Sequence, residues 1–180
     1  MKKRITILCL ALLTLFSADL AFAQDNSAGD LKIGGGLMYG TDIEQLGFEA
    51  DGVYTINEQF RAQADLGFYL PNKTDFGNGS SMTITWWEFN ANAHYMLMKD
   101  AEQGLSLYAL GGLNFLSVNV ESEGVGGLNI SGSDSEMGIN VGAGGEFDLD
   151  FASLYAEIKY SLGSADQLNI GAGLRFPVGN

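Results

Sequence analysis

Cysteine and histidine are nearly missing from this chain, with one of each among 180 residues. A disulfide framework is therefore excluded, and a Cys/His metal centre is starved of ligands. Basic residues are scarce too: Lys+Arg 9 stand against Asp+Glu 22, for a formal net charge of −13. A nucleic acid needs a basic surface, so no nucleic-acid partner is expected. Prolines number 2, and beyond the N-terminal segment no apolar run reaches the roughly 18 residues of a membrane-crossing helix. What is plentiful is glycine, at 25, within a chain that is 46% hydrophobic and 17% charged. That balance is too apolar for disorder and suits close-packed strands in a single domain.

Residues 1–23 carry their own pattern. Lys2, Lys3 and Arg4 precede an apolar stretch from Ile5 to Phe16 and a small-x-small site, Ala21-Phe22-Ala23. This reads as a secretory signal peptide cut before Gln24; a retained anchor helix would need a longer apolar span. Cys9 lies inside the apolar stretch behind Leu8, too early for a lipid-attachment site. Cleavage removes the only cysteine and three of the bases. Residues 24–30 then form a short lead-in, and 31–180 the folded domain.

From Leu31 onward apolar residues recur at period two, the strand signal. Eight segments are read: 31–40, 46–55, 60–70, 82–97, 105–118, 137–147, 153–162 and 167–176. In the third, Phe60, Ala62, Ala64, Leu66, Phe68 and Leu70 interleave with Arg61, Gln63, Asp65, Gly67 and Tyr69. The seventh sets Leu154, Ala156, Ile158, Tyr160 and Leu162 against Tyr155, Glu157, Lys159 and Ser161. Across all eight, the apolar register carries no charge. The complementary register carries Lys32, Glu49, Asp51, Arg61, Asp65, Glu88, Glu146, Glu157, Lys159 and Arg175, with His94 among them.

Which register faces outward decides the class. A soluble lipocalin-like barrel, binding an apolar ligand in the periplasm, would bury the apolar set and wet the polar one. Against it, the polar set is rich in Gly, Asn and Ser rather than densely charged, unlike a soluble surface. The connections vary between tight turns and longer segments such as 71–81 and 119–136, as periplasmic turns and outer loops do. Most telling are the aromatics when strands run alternately up and down. Tyr39, Phe48, Phe68, Trp87, Phe89, Phe115 and Tyr160 gather toward the outer end, and Tyr54, Phe60, Tyr95, Phe147 and Phe176 toward the inner end. Two girdles around a band of Ala, Gly, Leu and Ile match a bilayer with two interfaces. In lipid no sheet edge is tolerated, so the sheet must close. The expected fold is an all-β, closed, eight-stranded antiparallel up-and-down transmembrane barrel.

In this pattern, and in the terminal alternation Leu168, Ile170, Ala172, Leu174, Phe176, the chain resembles the small outer-membrane β-barrels, the OmpA/OmpX-like eight-stranded domains. The family's chains usually end at the aromatic, whereas here Pro177-Val178-Gly179-Asn180 follow Phe176. The resemblance implies an outer membrane of Gram-negative type, outer-membrane lipid as the surrounding partner, and delivery through the barrel-assembly machinery, which reads such a last strand. A monomer is expected, with no peptidoglycan-binding module after the barrel.

Eight strands leave a bore just wide enough for side chains. The inward charges are thus expected to form a plug; a narrow gated pore for ions or small solutes is the alternative. His94 is the only histidine and has no Ser two residues on, so no catalytic group, metal site or cofactor site is assigned. Gly34-Gly35-Gly36 and Gly142-Ala143-Gly144-Gly145 lie inside strands without a following Gly-Lys-Ser/Thr and are not phosphate loops. The stretch Asn119 to Glu136 reads as a solvated outer loop, open to an extracellular ligand or to a divalent cation among its acids, although it lacks a calcium-loop pattern. The function so read is structural or surface-interacting: membrane integrity or loop-mediated binding.

Overall fold

The computed structural model describes residues 28–77, 80–124, 129–163 and 166–179. The signal-peptide reading of 1–23 lies outside them. Among the described residues nine strands follow in order: β1 Leu31–Gly40, β2 Gln45–Thr55, β3 Phe60–Tyr69, β4 Asn72–Gly77, β5 Ser80–Asp100, β6 Leu105–Glu123, β7 Asn129–Asp148, β8 Ser153–Leu162 and β9 Gln167–Val178. Eight of them close a ring of antiparallel neighbours, with β1 paired to β9 and β3 paired to β5 across the gap that β4 leaves. The fold is therefore a closed eight-stranded antiparallel barrel.

Short polar side chains set the turns at the inner end. The Asn57 Oδ1 accepts the amides of Gln59 and Phe60 at 2.9 and 2.8 Å, and Asp100 Oδ1 accepts those of Glu102 and Gln103, both at 3.1 Å. Such Asx turns reverse the chain with its amides satisfied, and so fix the register of the strands they join. A register shift between Met96 and Met98 marks a bulge near the inner end of β5.

The period-two pattern resolves into an apolar exterior and a polar interior. Leu37, Phe48, Leu66, Val141, Ile158 and Ile170 all point away from the barrel with about half their surface exposed, while Asp65, Asn90, Asn140, Glu146 and Arg175 are buried within it. In water an apolar surface that size would drive association; in hydrocarbon it is the required outer face. The soluble barrel with reversed faces is thereby overturned.

Two segments read as loops are strands. Residues 72–77 form β4, hydrogen-bonded to the start of β5, and residues 117–123 of β6 pair with 129–135 of β7. The Ser, Gly and Asn content of 119–136 suggests a loop, yet Leu116, Val118 and Val120 still alternate with Ser117, Asn119 and Glu121. Backbone pairing needs only that alternation and a turn. The result is a sheet of four strands that continues β5, β6 and β7 outward past Trp87 by seven residues to Ser80, about 20 Å at the rise of an extended chain.

Candidate functional site: the lumen and the outward sheet

Strand alternation alone delivers the inward charges to one another, because each strand turns every second side chain to the axis. Arg175 of β9, with none of its surface exposed, sits at the centre of the inner half. Its guanidinium reaches Glu146 at 2.5 Å, Asp51 at 2.6 Å and Glu157 at 2.6 Å, donates to the Tyr108 hydroxyl at 3.1 Å, and lies 3.9 Å over the Tyr155 ring. Arg61 approaches the same Glu146 at 2.9 Å, and Lys32, nearer the mouth, spans Glu146 and Asp148 at 3.3 and 3.1 Å.

A second cluster fills the outer half. Lys159 stands 3.2 Å from Asp65 and 3.6 Å from Glu88. Asn90 donates to both acids, at 2.6 and 3.0 Å, and accepts from Asn114 and Asn140 at 2.7 and 2.8 Å. Gln63 joins the halves: its amide donates to Asp51 at 3.1 Å, and its carbonyl accepts from Asn92 and from His94, each at 3.0 Å. Glu49 is half-buried and accepts from the Tyr155 hydroxyl at 2.7 Å.

His94 is fully buried, stacked on Tyr108 with ring centroids 4.3 Å apart. Arg61 can only donate to Nδ1, at 3.3 Å, so the imidazole carries its proton on Nε2 and gives it to Gln63. Both nitrogens are thus occupied by structural bonds. Among the described residues no group of three His, Cys, Asp or Glu converges as a metal site would require.

The network takes in more than the charged residues that sequence reasoning singled out. Tyr69, Tyr108, Tyr155, Gln63, Gln167 and a set of asparagines, Asn90, Asn92, Asn114, Asn140 and Asn169, are all buried in the bore, and Asp148 and Ser153 extend it to the inner mouth. Their signal was the inward register itself, which holds every one of them from Gln63 to Asn169. The bulky members need facing glycines. A Cβ on Gly144 would stand 2.6 Å from Tyr108 Cζ and 2.7 Å from Glu157 Cγ, and one on Gly36 would stand 2.6 Å from the Tyr155 hydroxyl.

On the exterior, register lines up Phe48, Phe68 and Trp87 on three adjacent strands, with Phe89 opposite Phe115 one step below. Tyr39 and Tyr160 lie near the outer ends of β1 and β8. Toward the inner end Phe60 meets Tyr95 at 5.4 Å, while Tyr54, Phe147 and Phe176 occupy the corresponding ends of β2, β7 and β9. Phe151, in the β7–β8 turn, packs 6.5 Å from Phe176 and belongs with them; standing outside the alternation, it carried no period-two signal.

On the outward sheet the sense of the faces changes. The face continuous with the lumen carries Met82, Ile84 and Trp86 opposite Ser122, Val120 and Val118, with Glu136 and Asp134 across from Leu116 and Val118 on β7. The other face carries Thr83, Thr85, Ser117, Asn119, Ser131, Ser133 and Ser135. Above the girdle, then, the polar face turns outward to water and the apolar one inward, over the mouth.

A lipid-facing apolar band, two aromatic girdles and a hydrogen-bonded polar bore together define an integral β-barrel of outer-membrane type. The chain belongs to the outer membrane protein beta-barrel domain family, whose model matches residues 8–176. Among solved structures it is similar to Ail, the attachment invasion locus protein of Yersinia pestis, with a TM-score of 0.59 at 17% identity over 84% of this chain and 99% of that one. The N-terminal β-barrel domain of Pseudomonas aeruginosa OprF aligns with a TM-score of 0.62 at 15% identity, covering 84% and 98%. A major outer membrane protein of Thermus thermophilus gives 0.65 at 9% identity, covering 84% and 100%. Identities this low establish a shared fold. No curated protein sequence matches the chain.

Proposed function

We propose that the protein is a monomeric barrel of a Gram-negative-type outer membrane, delivered by a cleaved N-terminal segment and inserted by the barrel-assembly machinery. Its lumen acts as a polar plug and its outward sheet as a surface for interaction. The observation that carries this reading is the filling of the bore: Arg175 alone occupies the axis between strands β2, β7 and β8, and the side chains around it are engaged with one another. An ion on that path would have to break several buried charge pairs at once. A non-enzymatic role fits the same picture, since His94 is sealed from solvent and held at both nitrogens.

Conductance across planar lipid bilayers tests the plug. Purified, refolded protein is expected to give no steps above background; regular steps would replace this reading with the gated pore. Orientation is tested separately on intact cells, using the absence of cysteine from residues 24–180. Ser133→Cys, on the outward sheet, is expected to react with a membrane-impermeant maleimide, and Glu102→Cys, in an inner turn, to stay unlabelled until the cells are broken.

A further inference from the structure

The apolar face of the outward sheet holds a recess of about 90 Å³ lined by Trp86, Leu116, Val118, Asp134 and Glu136. Its chemistry is mixed in a specific way. Three apolar side chains form the wall, Leu116 being almost fully buried, and two carboxylates come from one strand. The Glu136 Oε2 is shut off from solvent and has no hydrogen-bond partner among the described residues. Buried carboxylate oxygens ordinarily find a donor, because burying one unpaired is costly. Asp134 accepts the Ser135 amide on one oxygen, at 2.9 Å.

The geometry points to this recess as a receptor for a lysine or arginine side chain of an extracellular cationic, apolar peptide, an inference that rests on the surface-interaction reading above. An indole beside two carboxylates suits an organic cation, which gains from the ring face as well as from the charges. The aliphatic wall suits the methylene stem of Lys or Arg, and the volume admits a side-chain end rather than a whole ligand. A hard metal ion would want more oxygens than the pair provides. Beyond the recess, Met82, Ile84, Val120 and the 72% exposed Ile130 continue the apolar face, offering contacts for the peptide's apolar residues. Charge complements the assignment within the recess, where Asp134 and Glu136 carry one sign; the sheet's other acids, Asp75, Glu121 and Glu123, alternate onto its opposite face together with its single base, Lys73.

The test uses the chain's two tryptophans. With Trp87→Phe, Trp86 becomes the only indole and reports directly on the recess. The probe is a blocked Leu-Arg-Leu-Arg-Leu peptide, titrated onto protein in zwitterionic nanodiscs, with Leu-Gln-Leu-Gln-Leu as control and empty discs as blank. We expect a saturable change in Trp86 emission with the Arg peptide, weakened about tenfold or more by Asp134→Asn/Glu136→Gln, the scale of one desolvated charge pair, and weakened by added salt. The double variant exchanges two carboxylates for isosteric amides, and heat-shifted migration on gels checks that it folds as its parent does. Equal binding of the Gln peptide, or undiminished binding to the double variant, would overturn the cation receptor while leaving the sheet an interaction surface. No response to either peptide would also overturn it, and conductance steps from the same preparation would then show that the plugged, surface-interacting reading has fallen too.

Discussion

Replacing Arg175 with methionine removes the cation on which the inner half of the lumen converges while keeping most of its volume. Glu146 would retain Arg61 at 2.9 Å and Lys32 at 3.3 Å, but Asp51 and Glu157 would lose the only cation within salt-bridge distance among the described residues. Breaking one buried pair by deleting a partner costs about 3–5 kcal/mol, mostly because a charge is left uncompensated. With two carboxylates stranded, and hydrogen bonds from Gln63 and Tyr108 offsetting part of the loss, Arg175→Met should destabilise by about 5 kcal/mol. The measurement is urea unfolding in phosphatidylcholine vesicles, followed by tryptophan emission and gel migration. A repair control separates charge from packing: adding Asp51→Asn and Glu157→Gln to Arg175→Met should recover all but about 2 kcal/mol, since polar pairs without charge carry far smaller desolvation penalties. A loss under about 1 kcal/mol for the single variant would mean that the carboxylates are hydrated rather than held by Arg175, and the plug would lose its physical basis.

Three further outcomes follow from the same geometry. Val141→Arg, placed on the lipid face midway between Met137 and Phe147, should cost about 2–4 kcal/mol in bilayer unfolding, the depth-dependent charge penalty of a barrel exterior; a neutral result would place that face in water. Gly144→Val would drive a side chain into Tyr108 and Glu157, with a loss of about 1–3 kcal/mol from overpacking in the same assay, whereas Gly52→Val, where a Cβ meets nothing within 4 Å, should leave stability within about 1 kcal/mol. Tyr108→Phe deletes a hydroxyl that donates to Glu157 at 2.7 Å and accepts from Arg175 at 3.1 Å; the expected cost is about 1.5–3 kcal/mol, as for hydrogen bonds to charged groups.

The barrel was legible because lipid makes an unusually strict demand. Each strand must present uncharged side chains every second residue for the whole crossing, and Ala62, Ala64 and Leu66 against Arg61, Gln63 and Asp65 show it without ambiguity. Partners within the lumen were not legible, since alternation names who points inward but not at what height. Arg175 meets Asp51, Glu146 and Glu157 only because registers such as Gly34↔Arg175 and Ser153↔Arg175 bring β9 level with its neighbours, and registers are set by turn lengths and by the bulge near Leu97. The tyrosines divide in the same way: Tyr69, Tyr108 and Tyr155 stand in the inward register, but an amphipathic side chain does not announce that in the bore it works through its hydroxyl, nor which partner that hydroxyl takes.

The outward sheet exposes a limit of hydropathy that is physical rather than statistical. Period two runs along β6 from Leu105 to Glu123, interrupted at the buried Leu110 and Gly111-Gly112, but its meaning inverts where the solvent changes. Below the girdle the lumen register holds polar residues such as Asn114, because lipid claims the apolar side. Above it Leu116, Val118 and Val120 take that same register, because water now claims the other side, where Asn119 is half-buried and Glu121 exposed. A strand crossing from hydrocarbon into water can keep its backbone straight only by exchanging which face is greasy. The exchange leaves an apolar surface over a mouth whose bore is already filled, while β1 and β2 join on the far side through the short connection 41–44. Membrane anchoring accounts for the strands up to Trp87. It does not require the seven further residues of β5, nor an apolar face held above the bilayer by paired backbone, and that surplus is the ground for proposing an interaction role for the sheet rather than for the barrel wall.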